Sequence, residues 1–264
     1  MTFLDINKEE DKIFQKLSSL TFSELVNISA YLRIKAAISA NKERIIALIR
    51  NKITKKKEIL EKINTIVNLY LMRNFRSRMY RLTDSRRTLG ILSRNLKKKN
   101  YKIINLNYPF FAEMKKKICL IRRAYVKENL EILVLEINGN KILLVFEGQD
   151  KLLPQKIIKE QLKYPPIKIM NIIRARKMKI TGLTLIVGGE IGGIQGLREI
   201  RLVGEDVISG CNAFASRHDK CRIPLYLLGA WYSVEIGKKI EISTNGTFKG
   251  RSIGDLIKFL TYII

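Results

Sequence analysis

The sequence predicts an α+β fold with a helical N-terminal region, a basic middle tract containing a β-hairpin, and a C-terminal α+β domain. Three observations predict it. Apolar residues recur at helical spacing through the first 76 residues, in a stretch with no Gly or Pro before Gly90. Two β-rich runs flank Asn138-Gly139-Asn140, a strong hairpin signal. Beyond about residue 174 Gly becomes frequent and short apolar runs replace the charge-rich ones. The divisions fall at 1–76, 77–173 and 174–264.

The helical region opens with Thr21-Phe22-Ser23-Glu24, a capping box in which Glu follows Thr by three residues. Leu25, Ile28, Leu32 and Ala36 then recur near a 3.6-residue period, continued by Ile45, Ile46, Leu48 and Ile49. Ile59, Ile63, Ile66, Leu69 and Tyr70 form a second stripe on another helix. Two or three helices are expected, with an antiparallel pair among them. In the middle, Leu130–Ile137 and Lys141–Phe146 read as the two arms of the hairpin. Lys156 to Leu162 reads as a short helix, and Tyr164-Pro165-Pro166 as a linker or sharp turn. In the C-terminal part, strands are expected at Leu183–Val187, Glu199–Val203, Tyr226–Val234 and Lys239–Ser243. Leu256 to Ile264 reads as a final strand or helix, being too short for a membrane span of about 18 residues.

Charge points to the partner. The chain of 264 residues carries a formal net charge of +26. From Arg50 to Lys127 there are 23 Lys or Arg against 4 Asp or Glu, a surplus of 19. Charge so one-sided repels itself and disfavours a compact state unless a polyanion screens it. Nucleic acid is such a partner, because each neutralised phosphate releases condensed counterions. The residues expected to meet phosphates are Arg73, Arg76, Arg78, Arg81, Arg86, Arg87, Arg94, Lys97, Lys98, Lys99, Lys115, Lys116, Lys117, Arg122 and Arg123. Arg174, Arg176, Lys177, Lys179, Lys249 and Arg251 follow as a second rank. Phe75, Tyr80, Tyr101, Tyr108, Phe110 and Phe111 are interleaved with them, either as core residues or as platforms for bases.

Other chemistries find little support. Three Cys make no disulfide framework. Cys119, Cys211, His218 and Cys221 could in principle form a zinc set, but their spacing matches no strong ligand pattern, so no metal is expected. The cluster Gly188-Gly189-Glu190-Ile191-Gly192-Gly193-Ile194-Gln195-Gly196 lacks the dinucleotide fingerprint and reads as a bulge or tight strand-to-helix turn, with a backbone contact to RNA as the alternative. No cofactor and no small-molecule substrate are expected. Glu136 with Glu147, or Glu205-Asp206, could hold Mg²⁺ in a nuclease, and a viral or plasmid DNA-binding protein is the other alternative. An ordinary non-enzymatic nucleic-acid binder remains the leading expectation. The start, MTFLDINKEEDK, shows neither a secretory signal nor an import presequence.

The C-terminal part resembles a known family. Ile180-Thr181-Gly182-Leu183-Thr184-Leu185-Ile186-Val187-Gly188-Gly189-Glu190-Ile191-Gly192-Gly193 is similar to the glycine-rich string that opens the C-terminal domain of the third small-subunit ribosomal protein, the S-three family. Arg222-Ile223-Pro224-Leu225, running on to Leu228, resembles that family's Arg-x-Pro-Leu motif. Ser243-Thr244-Asn245-Gly246 followed by Gly250 is similar to its closing motif, and the three pieces come in the family's order. The family's Ser-Gly-Arg is Gly188-Gly189-Glu190 here, about a dozen extra residues separate the first two motifs, and no G-x-x-G loop occurs before Gly189. The resemblance covers about 80 residues. It implies a structural constituent of the small ribosomal subunit, in its head near the path by which mRNA enters. Partners would then be rRNA and neighbouring small-subunit proteins, with mRNA a further contact. Abundant Ile, Lys and Asn fit a divergent mitochondrial member encoded in the organelle.

Overall fold

The structure is a computed structural model. It describes residues 3–35, 40–54, 56–82, 85–111, 118–146, 180–191, 194–195, 199–204, 225–235, 239–243 and 247–264. Four helices come first among them: α1 (Phe3–Ser18), α2 (Phe22–Tyr31), α3 (Lys42–Ile53) and α4 (Lys57–Leu71). The expected capping box opens α2. The Thr21 amide donates to Glu24 Oε2 at 2.7 Å, and the Glu24 amide donates to Thr21 Oγ1 at 3.4 Å. Asn41 caps α3 in the same way, its side chain accepting from the Arg44 amide at 2.9 Å. Each helix buries one stripe: Leu25 and Ile28, then Ile45, Ile49 and Ile53, then Leu60, Ile63, Ile66 and Val67. Among the described residues the region therefore holds four helices where two or three are expected, and residues 73–76 belong to a strand. The helical period stops at Met72, where Arg73 to Tyr80 begins to alternate with a period of two.

That strand, β1 (Arg73–Leu82), is followed by α5 (Ser85–Lys98) and a meander of β2 (Lys102–Phe111), β3 (Ile118–Val126), β4 (Leu130–Ile137) and β5 (Asn140–Phe146). The Asn-Gly hairpin joins β4 to β5. Asn138 and Gly139 sit at φ +50° and +77°, the left-handed pair that a two-residue hairpin turn needs. Then come β6 (Ile180–Ile191), β7 (Ile194–Gln195), β8 (Glu199–Val203), β9 (Leu225–Glu235), β10 (Lys239–Ser243), β11 (Thr247–Ser252) and α6 (Ile253–Ile263). The four strands expected in this part all lie within these spans, and the apolar C-terminus is a helix. Ser252 caps it, accepting from the Asp255 amide at 3.3 Å.

The strands form one sheet in the order β2-β3-β4-β5-β1-β11-β10-β9-β6, with β7 and β8 both pairing β6. All of these pairings are antiparallel. An α+β fold is thus what the chain adopts. The boundary expected between residues 76 and 77 lies inside β1. Since β1 pairs β5 on one side and β11 on the other, the middle and C-terminal segments share the sheet.

The two faces of the sheet have different covers, and β1 shows how. Its odd positions Phe75 and Met79 pack into the large core built by α1 to α4, α6 and one face of the strands. Its even positions Tyr80 and Leu82 pack with Leu92 and Leu96 of α5, joined by Tyr125, Ile132, Val134, Leu143 and Val145. The alternation of a strand thus feeds two cores. The helical bundle lies on one face. On the other, α5 covers the strands from β2 to the end of β1.

The expected helix at Lys156–Leu162 and the turn at Tyr164-Pro165-Pro166 lie outside the described residues.

Candidate nucleic-acid interface

The basic tract is folded almost throughout, so its cations are fixed by element rather than by sequence proximity. Four belong to β1, and the sheet separates them. Arg73 pairs in register with Ser252, and its guanidinium donates to the Tyr70 carbonyl at 2.5 Å, satisfying an orphan acceptor at the end of α4. It works on the helical side. Arg76 and Arg78 lie at even positions, on the α5 side. Arg76 is exposed and pairs with Lys249, which forms an ion pair with Glu241 at 3.3 Å. Arg78 is half-buried, and its Nε has no hydrogen-bond partner. Burial pushes the Tyr80 hydroxyl up, with the neighbouring Arg78 pulling the other way. Arg251 is exposed two residues beyond Lys249, and so on the same face. Arg81 lies in β1 opposite Ile142.

The densest display is α5. Leu89, Leu92 and Leu96 recur at three and four residues and face the sheet. Burying the two leucines Leu92 and Leu96 contributes on the order of 2 kcal/mol each. The outer side carries Arg94, Lys97 and Lys98, and Lys99 follows at the end, all exposed. Arg86 and Arg87 lie in the first turn. From Ser85 to Asn100 there is no acidic residue. The helix ends on Asn100, held at φ +64°. The Tyr101 amide donates back to the Leu96 carbonyl and the Asn100 amide to that of Lys97, both at 3.0 Å. That is a Schellman ending with Asn in the glycine position, and Tyr101 packs with Leu96 as the motif requires. The lysines thus cluster at the negative end of the helix dipole, which favours them there. The signal for this helix was present in the spacing of the three leucines and in the Lys-Lys-Lys-Asn stop.

Arg122 and Arg123 are neighbours with different fates. A register shift after Ile121 brings both toward the α5 side. Arg122 binds Glu136 through two nitrogens, at 3.0 and 3.2 Å. This holds the Glu136 carboxyl below its usual range. The charge of Arg122 is therefore spent within the protein. Arg123 donates to Asn105 Oδ1 and to Ser93 Oγ of α5, both at 2.9 Å. Both acceptors are neutral, and among the described residues no carboxylate pairs with Arg123, so its position is fixed without a counter-charge there. Arg201 on β8 is exposed and is not among the residues expected from the sequence. Nothing in its local pattern sets it apart.

The interleaved aromatics whose side chains are described are core residues. Phe75, Tyr80, Tyr101, Tyr108 and Phe110 are all buried. The hydroxyls of Tyr70 and Tyr108 hydrogen-bond each other at 2.7 Å, and Tyr31 donates to the Leu106 carbonyl at 2.6 Å. Burial, before any charge, pushes the Tyr108 hydroxyl strongly up.

The other candidates of the sequence behave as follows. Cys119 is buried in β3, and burial pushes its thiol up to about 12. Among the described residues no group of three or more His, Cys, Asp or Glu is placed to hold a metal ion. Glu136 is engaged by Arg122, as described. Of the two readings of the glycine cluster, a bulge or a tight strand-to-helix turn, the described residues show the first, an irregularity within a strand, while Gly192, Gly193 and Gly196 lie outside the described residues. Gly188 and Gly189 lie in β6 opposite Tyr226 and Leu225, after a register shift at Val187, and Glu190 pairs Gln195 of β7. Lys115, Lys116, Lys117, Arg174, Arg176, Lys177 and Lys179 lie outside the described residues, as do Cys211, His218, Cys221, Glu147, Glu205 and Asp206. No helix among the described residues is long and apolar enough to cross a membrane.

Comparison of the chain with protein-family models and with curated proteins returns no match.

Proposed function

We propose that the protein is a structural constituent of the mitochondrial small ribosomal subunit, similar to the S-three family, and that it binds rRNA through distributed Lys and Arg contacts to phosphate. One observation carries the reading. Among the described residues, clustered cations are displayed by α5 and by the β1–β11 end of the sheet, on the face away from the helical bundle. A fold that concentrates charge on one side is suited to a polyanion bound there. The other side, with its acid-containing helices, is left for packing against protein.

The resemblance gains support from the strand order. Its three pieces sit on neighbouring strands: the first on β6, the second running into β9, the third around the β10–β11 hairpin. Gly188-Gly189 of the first piece pairs directly with Tyr226 and Leu225 of the second. Such a clustered set behaves as one structural unit. The resemblance supplies the finer reading, a place in the head of the subunit near the path of incoming mRNA. No catalytic group enters this account.

Ultraviolet crosslinking of the protein in its native cell, followed by sequencing of the attached nucleic acid, tests the reading. Small-subunit rRNA should dominate, with crosslinks in a few clustered segments. Recovery of DNA, or of RNA with no ribosomal enrichment, would refute it.

A further inference from the structure

We infer that α5 and Arg123 form a ridge that tracks the phosphate backbone of double-helical RNA, and that unpaired bases are not what this surface reads. The inference rests on the rRNA-binding proposal and narrows it to one class of RNA structure.

Three observations lead there. The first is where the aromatics went. Recognition of single-stranded RNA relies on unstacked bases laid on exposed aromatic rings, while a duplex is held by shape and by contacts to phosphate and 2′-hydroxyl groups. The five interleaved aromatics whose side chains are described are all buried. Among described side chains the exposed aromatic is Phe22, which belongs to α2 in the helical layer. The ridge itself offers cations and no ring.

The second is the geometry of α5. Its 14 residues span about 21 Å. Arg94 and Lys98 are four residues apart, about 6 Å along the axis, with Lys97 between them. With Leu92 and Leu96 pinning the inner side, this is a rigid rod with a linear array of charge, fixed at its end by Asn100. A flexible single strand does not need such a rod, whereas a regular helix of phosphates matches it without rearranging. The third is Arg123. Two neutral acceptors hold its guanidinium in place between α5 and β2, leaving its charge for an external anion. A planar guanidinium so held suits a phosphate better than a mobile lysine does.

The test uses the full chain and two RNAs with equal numbers of phosphates, a 20-base-pair hairpin and an unstructured oligouridine, titrated across a salt series. The wild type should bind the hairpin about tenfold tighter. The variant R94Q/K97Q/K98Q/K99Q should lose most of that preference, and its log–log salt slope on the hairpin should fall by about 3.6, roughly 0.9 for each of the four removed contacts. The variant K12Q/K52Q, changed at two exposed lysines of the helical layer, should keep both. These side chains are exposed, and matching thermal unfolding curves will verify that each variant folds. Equal or tighter binding of oligouridine would overturn the duplex inference and leave the RNA reading standing. So would an unchanged slope in the α5 variant. Binding of neither RNA, with retention on duplex DNA, would overturn both.

Discussion

Gly250 shows how one residue records its neighbours. It lies in β11 opposite Phe75, and a Cβ there would press on the ring of Phe248 and come within 3.1 Å of Phe75 Cζ. Both rings belong to the core, in a chain of contacts with Phe146, edge-on to Phe75, and with Phe259, tilted against Phe248. G250A should therefore destabilise the protein by about 1–3 kcal/mol, through displaced rings rather than backbone strain. Urea unfolding checks this, with G254A as the contrast. A Cβ on Gly254 meets nothing closer than 3.8 Å, so that variant should match the wild type or exceed it. Equal losses in the two would contradict the packing argument. In the sequence Gly250 is visible as part of a motif, but its reason is not, because Phe75 lies 175 positions away. The arginines of β1 teach the same lesson. Arg73, Arg76 and Arg78 look alike in a basic run, yet one closes a helix end and two face the α5 side. The alternation of the strand separates them, and that could be read only once the strand itself was recognised.

At the scale of elements, β3 and β4 are clipped together by Arg122 and Glu136. The carboxyl of Glu136 titrates below its usual range because the guanidinium stabilises its charged form. A lowered folded-state pKa adds stability above the unfolded value of about 4.3 and loses it as pH falls through the folded value. Both side chains are partly exposed, so the contribution is small, about 0.5–1 kcal/mol. E136Q should be less stable than the wild type by that amount at pH 7, and the gap should close by about pH 3. Paired thermal melts at the two pH values measure it, and a gap independent of pH would exclude the ion pair as its source. Elements with strong local signals were legible: the capping box of α2, the Asn-Gly hairpin and the C-terminal strands. α5 was not, because its high charge hid three leucines at helical spacing. The α4–β1 change at Met72 was hidden in a similar way, since the basic run begins where the period changes.

For the whole molecule, the sequence expectation of a separate C-terminal segment met a sheet that runs through both. Antiparallel pairing between β1 and β11 joins residues about 170 positions apart, and no local pattern announces it. What was legible was the charge and its sign. What the fold adds is sidedness: aromatics and helices gather in the cores, and cations are displayed over α5 and the β1–β11 end. On the proposed function, this charged side is occupied by small-subunit rRNA. Sedimentation of the native protein through a gradient, with and without ribonuclease and then at high salt, tests it most directly. We predict co-migration with the small ribosomal subunit, lost on digestion of the RNA and weakened by salt. Migration as free protein, or with DNA, would contradict the claim.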